Sequence, residues 1–406
     1  GPFQFQGAAS FGARRYDLRF NTGTLDATGN NRITGFLREA GGAYSTAIEG
    51  LMTAGLAPRF EGTLVYRQAP PGAERADDIR GDLLFEGAVS ATTDRVVVSG
   101  YTLHPDENRA GMRLTGAASI QLGARRSFDA VVSGGVFSLP PRDAAEVPSE
   151  LPYELVRLFS ELPAPPLPPI PGRIGIDLAE VGLRGFSLRD LRLDATTDGT
   201  DWRIEQAVAE MPGDTELRLS GTVTGAGGRI GFRGDLAVTS QRLDALSQLW
   251  RRPREDNPLF NMPGGLEGRV MLAGDALGLS NARLTLGRQV HGVELRIGFG
   301  DEPRLDVVGH FDDLDPMHSA ALQALLPDIA AEPSFGVSFP DGSFSVTAQT
   351  VDLMGLVATD LVAEGQWSPT ALRLSRFAAG DWGGLSFGSS LRLSGSLGEP
   401  RLTGSG

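Results

Sequence analysis

The chain has 406 residues, with 54 Gly, 26 Pro, no Cys, 7% aromatics, a formal net charge of −13 and a pI near 4.9. Without cysteine there can be no disulfide, thiolate metal site or cysteine nucleophile. The acidic balance, with arginines interspersed among acids and no RNA-type aromatic motif, argues against a nucleic-acid partner. No run reaches the roughly 18–20 apolar residues that span a bilayer, and no secretory signal is present.

Gly1-Pro2 resembles the remnant that a site-specific protease leaves after tag removal, so the chain reads as an excised fragment. Residues 3–145 form a first β-sheet region, with segments at Tyr16–Phe20, Phe60–Tyr66, Asp82–Gly87, Arg95–Gly100, Met112–Leu122 and Phe128–Phe137. Pro140-Pro141 ends it. Residues 146–172 read as a helix plus a connector. Over Ser149–Glu161, Tyr153, Val156 and Phe159 fall at three-residue spacings, and Leu151, Leu155 and Leu158 broaden the stripe. The proline-rich run Leu162–Pro171 then reads as a stiff link.

Residues 173–406 form a second β-sheet region, interrupted by short helices near 240–251 and 318–330. Each helix follows a strand, a polar stretch and a Leu-Asp pair, at Leu243-Asp244 and Leu314-Asp315, a loose internal repeat that suggests stacking along one axis. Throughout, apolar and polar residues alternate, as in Ile174-Gly175-Ile176-Asp177-Leu178 and Leu217-Arg218-Leu219. Side chains alternate faces along a strand, so each segment offers one apolar and one polar side. Ile174, Ile176, Leu178, Leu217, Leu219, Ile230, Phe232, Leu236, Leu391 and Leu393 are the candidate lining of such a face. On the pattern alone, the same residues would serve equally as the dry core of a β-sandwich.

Motifs for chemistry are weak. Gly384-Leu385-Ser386-Phe387-Gly388 matches a nucleophile elbow, but a strand follows and no histidine lies downstream. Gly225-Ala226-Gly227-Gly228 opens like a dinucleotide loop, yet Ile230 takes the third glycine position, which leaves a hairpin turn. His310, Asp312, Asp313, Asp315 and His318 could ligate a metal, although Asp315-Pro316 before an apolar run reads as a helix start. His104 and His291 read as ordinary turn or strand residues. Neither catalytic residue, metal nor cofactor is assigned, and the chain reads as a non-enzyme.

Gly185–Ala195, Asp198-Gly199, Trp202-Arg203-Ile204, Leu219–Val223, Ser240–Asp244 and the tail Leu393–Leu402 resemble the AsmA-like proteins of Gram-negative envelopes, TamB-type members included. The resemblance is best over residues 173–406, and its motifs are mostly glycine, Leu-Asp and alternation. It implies a long antiparallel sheet curled into an open hydrophobic groove with a few short helices. It also implies a periplasmic body anchored to the inner membrane by a helix missing here, with phospholipid acyl chains as cargo between inner and outer membranes. An outer-membrane or envelope protein is a possible further partner. The alternative function is an envelope assembly factor that supports outer-membrane protein biogenesis through sheet-edge contacts.

Overall fold

A computed structural model describes residues 2–11, 14–40, 44–68, 83–105, 112–138, 165–183, 186–225, 230–250, 256–299, 302–326, 341–353, 355–394 and 401–405. Of these, 73% are strand and 5% helix, so burial has to come from sheet faces. The sheet is long, unclosed and curled, as the sequence reading expected. Two compact units divide the chain: Gly1–Ser138 with Pro168–Val181 and Asp190–Thr200, and Leu139–Leu167 with Gly182–Arg189 and Asp201–Gly406. The helix expected over Ser149–Glu161 lies outside the described residues.

The first unit contains β1 (Gln4–Phe11), β2 (Arg14–Thr22), β3 (Asn30–Glu39), β4 (Tyr44–Thr53), β5 (Arg59–Gln68), β6 (Leu83–Ala91), β7 (Arg95–His104), β8 (Leu114–Gln121) and β9 (Ser127–Ser138). Each pairs antiparallel with the next. Of these, β1, β3 and β4 add to the six segments read from sequence. Most of β10 (Gly172–Leu183) and β11 (Phe186–Thr197) also falls in this unit. Thus Ile174, Ile176 and Leu178 sit with the first unit, whereas the sequence placed them at the start of the second region. β10 pairs with β9, and beside that ladder Arg173 Nε donates to Asp129 at 2.6 Å and Phe128 N donates to Pro171 O at 3.0 Å.

The second unit contains β12 (Trp202–Met211), β13 (Thr215–Thr224), β14 (Gly231–Ser240), β15 (Gly264–Ala273), β16 (Ala276–Leu286), β17 (Gln289–Gly298) and β18 (Arg304–Leu314). It continues with β19 (Asp341–Leu353), β20 (Leu356–Ser368), β21 (Ala371–Trp382), β22 (Leu385–Ser394) and β23 (Arg401–Ser405). Neighbours pair antiparallel except β18 and β19, which are parallel. That exception corrects the purely antiparallel expectation. A parallel pair requires a crossover connection rather than a hairpin, and the helix that follows β18 stands in that connection.

Two helices are described, α1 (Leu243–Ser247) and α2 (Pro316–Leu325). The first is shorter than the expected 240–251, because Ser240 still belongs to β14 and its hydroxyl accepts from Thr215 Oγ1 at 2.7 Å. The second begins two residues before His318, where Asp315 caps it by accepting from His318 N at 2.8 Å and Pro316 fills the first turn. No helix among the described residues is long and apolar enough to cross a membrane.

Curl has a local cause. Register shifts put an extra residue in β12 between Ile204 and Ala207 and in β16 between Leu279 and Ala282, the latter seen against both β15 and β17. Each extra residue bends its strand and increases the local twist. Glycines let the backbone crease: a Cβ at Gly234 would collide with Ser220 O and stand 2.6 Å from Phe232 Cζ. Several tight turns are closed by aspartate, with Asp352 and Asp381 each accepting from a glycine N–H three residues on, at 2.9 Å.

Candidate functional site

Register places one unbroken row of small and apolar residues across the first unit: Phe5, Phe20, Gly35, Ile48, Leu64, Gly87, Tyr101, Gly116 and Val132, each opposite the next. A parallel row on the same face runs Leu18, Leu37, Thr46, Tyr66, Phe85, Leu103, Leu114. Neither row contains a charge. The charges lie on the opposite face, where Arg38 pairs with Asp17 at 3.6 Å and Arg32 pairs with Glu49.

Among the described residues no second sheet is present to cover these rows, since all the strands belong to one sheet. Of the nine-residue row, Tyr101 is buried, Phe5 is 48% exposed and the others are half-buried. Phenyl rings lie along the floor above glycines two residues away. A methyl at Gly62 would stand 2.7 Å from Phe60 Cζ, and one at Gly7 2.9 Å from Phe5 Cζ. A ring laid over glycine fills the gap without projecting from the sheet. The floor is therefore apolar and low.

In the second unit one row crosses all twelve strands: Ile204, Gly221, Gly234, Val270, Leu279, Leu295, Val307, Phe344, Gly365, Leu374, Leu391 and Gly404. Again the opposite face carries the ion pairs, such as Arg283 with Glu267 at 2.7 Å and Arg269 with Asp235 at 3.9 Å. With strands about 4.8 Å apart, the first unit's nine-strand row spans about 38 Å and the second unit's row about 53 Å. One bilayer leaflet supplies about 15 Å of hydrocarbon. Each row exceeds an acyl chain at least twofold.

The two helices cover one end of the second unit's apolar face. Leu243, Leu246, Leu249 and Leu259 pack with Leu286, Ala321 and Ala324 into a dry cluster, and Trp250 Nε1 donates to Leu325 O at 2.8 Å. Next to Leu284 of this region sits His291, 2% exposed, its ring 5.0 Å from that of Phe311 and both its nitrogens without a hydrogen-bond partner among the described residues. Burial, and secondarily the charge on His318, pushes its pKa below the ordinary histidine value. Asp315 lies 2.8 Å from His318 Nδ1, and hydrogen bonding from the His318 N–H holds its carboxyl below the usual range. Asp244 is lowered chiefly by the hydrogen bond from Arg242, 2.7 Å away.

The sequence-derived lining residues fall on these faces in three groups. Phe128 lies over Gly172, so alternation puts Ile174, Ile176 and Leu178 on the first unit's apolar side, with Leu178 beside Gly134. Leu217 and Leu219 oppose Val238 and Leu236, and Phe232 opposes Val223. Ile230 is half-buried just before β14. Leu391 pairs with Leu374, and Leu393 with Leu372, eight strands further on. The sequence reading missed β1–β9 and β15–β21 as lining, although the spacing Phe-x-Gly at Phe5, Phe60 and Phe232 marked the floor.

The other motifs resolve simply. Ser386 lies in β22. His310 Nδ1 contacts Thr347 Oγ1 at 2.9 Å, Asp312 accepts from Gln349 and Asp313 from Thr350. Among the described residues no three His, Cys, Asp or Glu are placed to hold a metal ion. Comparison with protein-family models, curated proteins and solved structures gave no match.

Proposed function

We propose that this protein carries phospholipid acyl chains along the apolar face of its curled sheet, with headgroups left in water. The observation that carries the reading is the uncharged row of small and apolar residues that crosses β1–β9 in the first unit and β12–β23 in the second. Burying a methylene is worth about 0.8 kcal/mol, so a half-immersed tail is held by several kcal/mol. Repeated Leu, Val, Ile and Phe contacts are nearly equivalent, so a tail can slide without meeting a deep well. The arginines and acids on the outer face keep the body in solution.

The resemblance to AsmA-like proteins extends the proposal to a periplasmic body, tethered to the inner membrane, that moves phospholipid toward the outer membrane. A half-buried apolar face of this length favours this groove over a dry β-sandwich core. Photo-cross-linking tests it. A photoreactive phenylalanine at Leu64 or Leu374 should capture lipid in bacterial cells, while the same residue at Glu49 or Arg283 should not. Equal capture at all four positions overturns the proposal.

A further inference from the structure

His291 is a buried histidine whose ring nitrogens have no hydrogen-bond partner among the described residues. It stands on β17 within the apolar face, in the row of Leu284, with Phe311 of β18 against its ring. The groups that face it electrostatically are His318 on α2 and Asp312 on β18. Asp315, at the start of α2, is engaged with His318. The neighbouring row members on β14, β15 and β16 (Val238, Leu266 and Leu284) bring no charge. Its partner Leu284 packs against the cluster to which α2 contributes Ala321 and Ala324, and His318 of α2 acts on it electrostatically.

From this geometry we infer that α2 is an acid-released cover: protonation of His291 drives the helix off the sheet and uncovers the apolar face beneath. An imidazolium there has no hydrogen-bond acceptor within reach, and water enters only if the helix lifts. The sign follows from linkage. Burial depresses proton binding in the docked state, so the released state binds more protons and gains population as pH falls below the ordinary histidine pKa of about 6.5. Asp312 opposes this and His318 reinforces it. A single proton limits the effect to about tenfold per pH unit.

The test is hydrogen exchange of the α2 amides, residues 316–326, between pH 7.5 and 5, corrected for intrinsic exchange. It does not depend on whether lipid is the cargo. Wild-type protection in α2 should fall below pH 6.5 by up to about tenfold per unit, while β20 keeps its protection. His291→Leu should remove the pH dependence, and so should His291→Gln, which is polar but takes up no proton. Flat protection in the wild type, or an unchanged fall in His291→Leu, overturns the inference. If His291→Leu does not fold, His291→Gln decides: a fall that persists in that variant overturns the inference.

Discussion

Replacing Leu219 by Asp separates an open apolar face from a dry core. Leu219 is half-buried on β13, opposite Leu236, so truncation forfeits about half of the 1.5–3 kcal/mol that full burial provides, or about 1 kcal/mol. On an open face the new carboxylate keeps its water and adds little more. Leu286 is the contrast, 0% exposed among Leu243, Leu259 and Ala321. An Asp there loses about 2–5 kcal/mol of packing and adds a desolvation cost of several kcal/mol. All four tryptophans, Trp202, Trp250, Trp367 and Trp382, belong to the second unit, so their fluorescence follows its unfolding in urea. At an m-value near 3 kcal/mol per molar, Leu219→Asp should lower the midpoint by about 0.3 M and Leu286→Asp by more than about 1.5 M. Comparable losses at both positions would refute the open face.

Gly234→Ala should cost at least about 1 kcal/mol in the same assay, because its methyl meets Ser220 O and the Phe232 ring, whereas Gly278→Ala has room and should be near neutral. Asp244→Asn should lower stability at pH 7 by about 1 kcal/mol, since Arg242 is half in water. The Asp244 carboxyl is depressed in the fold, so its contribution is full above the unfolded pKa near 4 and disappears as pH falls through the folded value; the variant's acid limb should be shallower. Trp250→Phe removes the bond to Leu325 O, worth about 0.5–1.5 kcal/mol, and should speed hydrogen exchange at the end of α2 without changing β22.

Strand character was legible because alternation is local: Leu217-Arg218-Leu219 puts its leucines on one side whatever the neighbours do. The start of α2 was legible for the same reason, since Asp315-Pro316 is a cap written in adjacent residues. What covers a face depends on register, and no single strand encodes register. Hence Ile174 could be given its side but not its unit, which rests on the pairing of β10 with β9, where Arg173 reaches Asp129, 44 residues earlier. Nor could alternation show that His318 of α2 acts on His291, because α2 follows β17 only after the chain has passed through β18. The parallel β18–β19 pair was hidden likewise, because both strands read as ordinary alternation and only the crossover sets their direction.

The central claim is that the apolar rows hold lipid. Native mass spectrometry of the protein purified gently from bacteria, with lipid extraction from the same sample, tests it most directly. Phospholipid bound in defined stoichiometry, and reduced in a stably folded Phe232→Asp variant, is the result predicted here. A bare 42.9 kDa species, or equal lipid in the wild type and the variant, would contradict it.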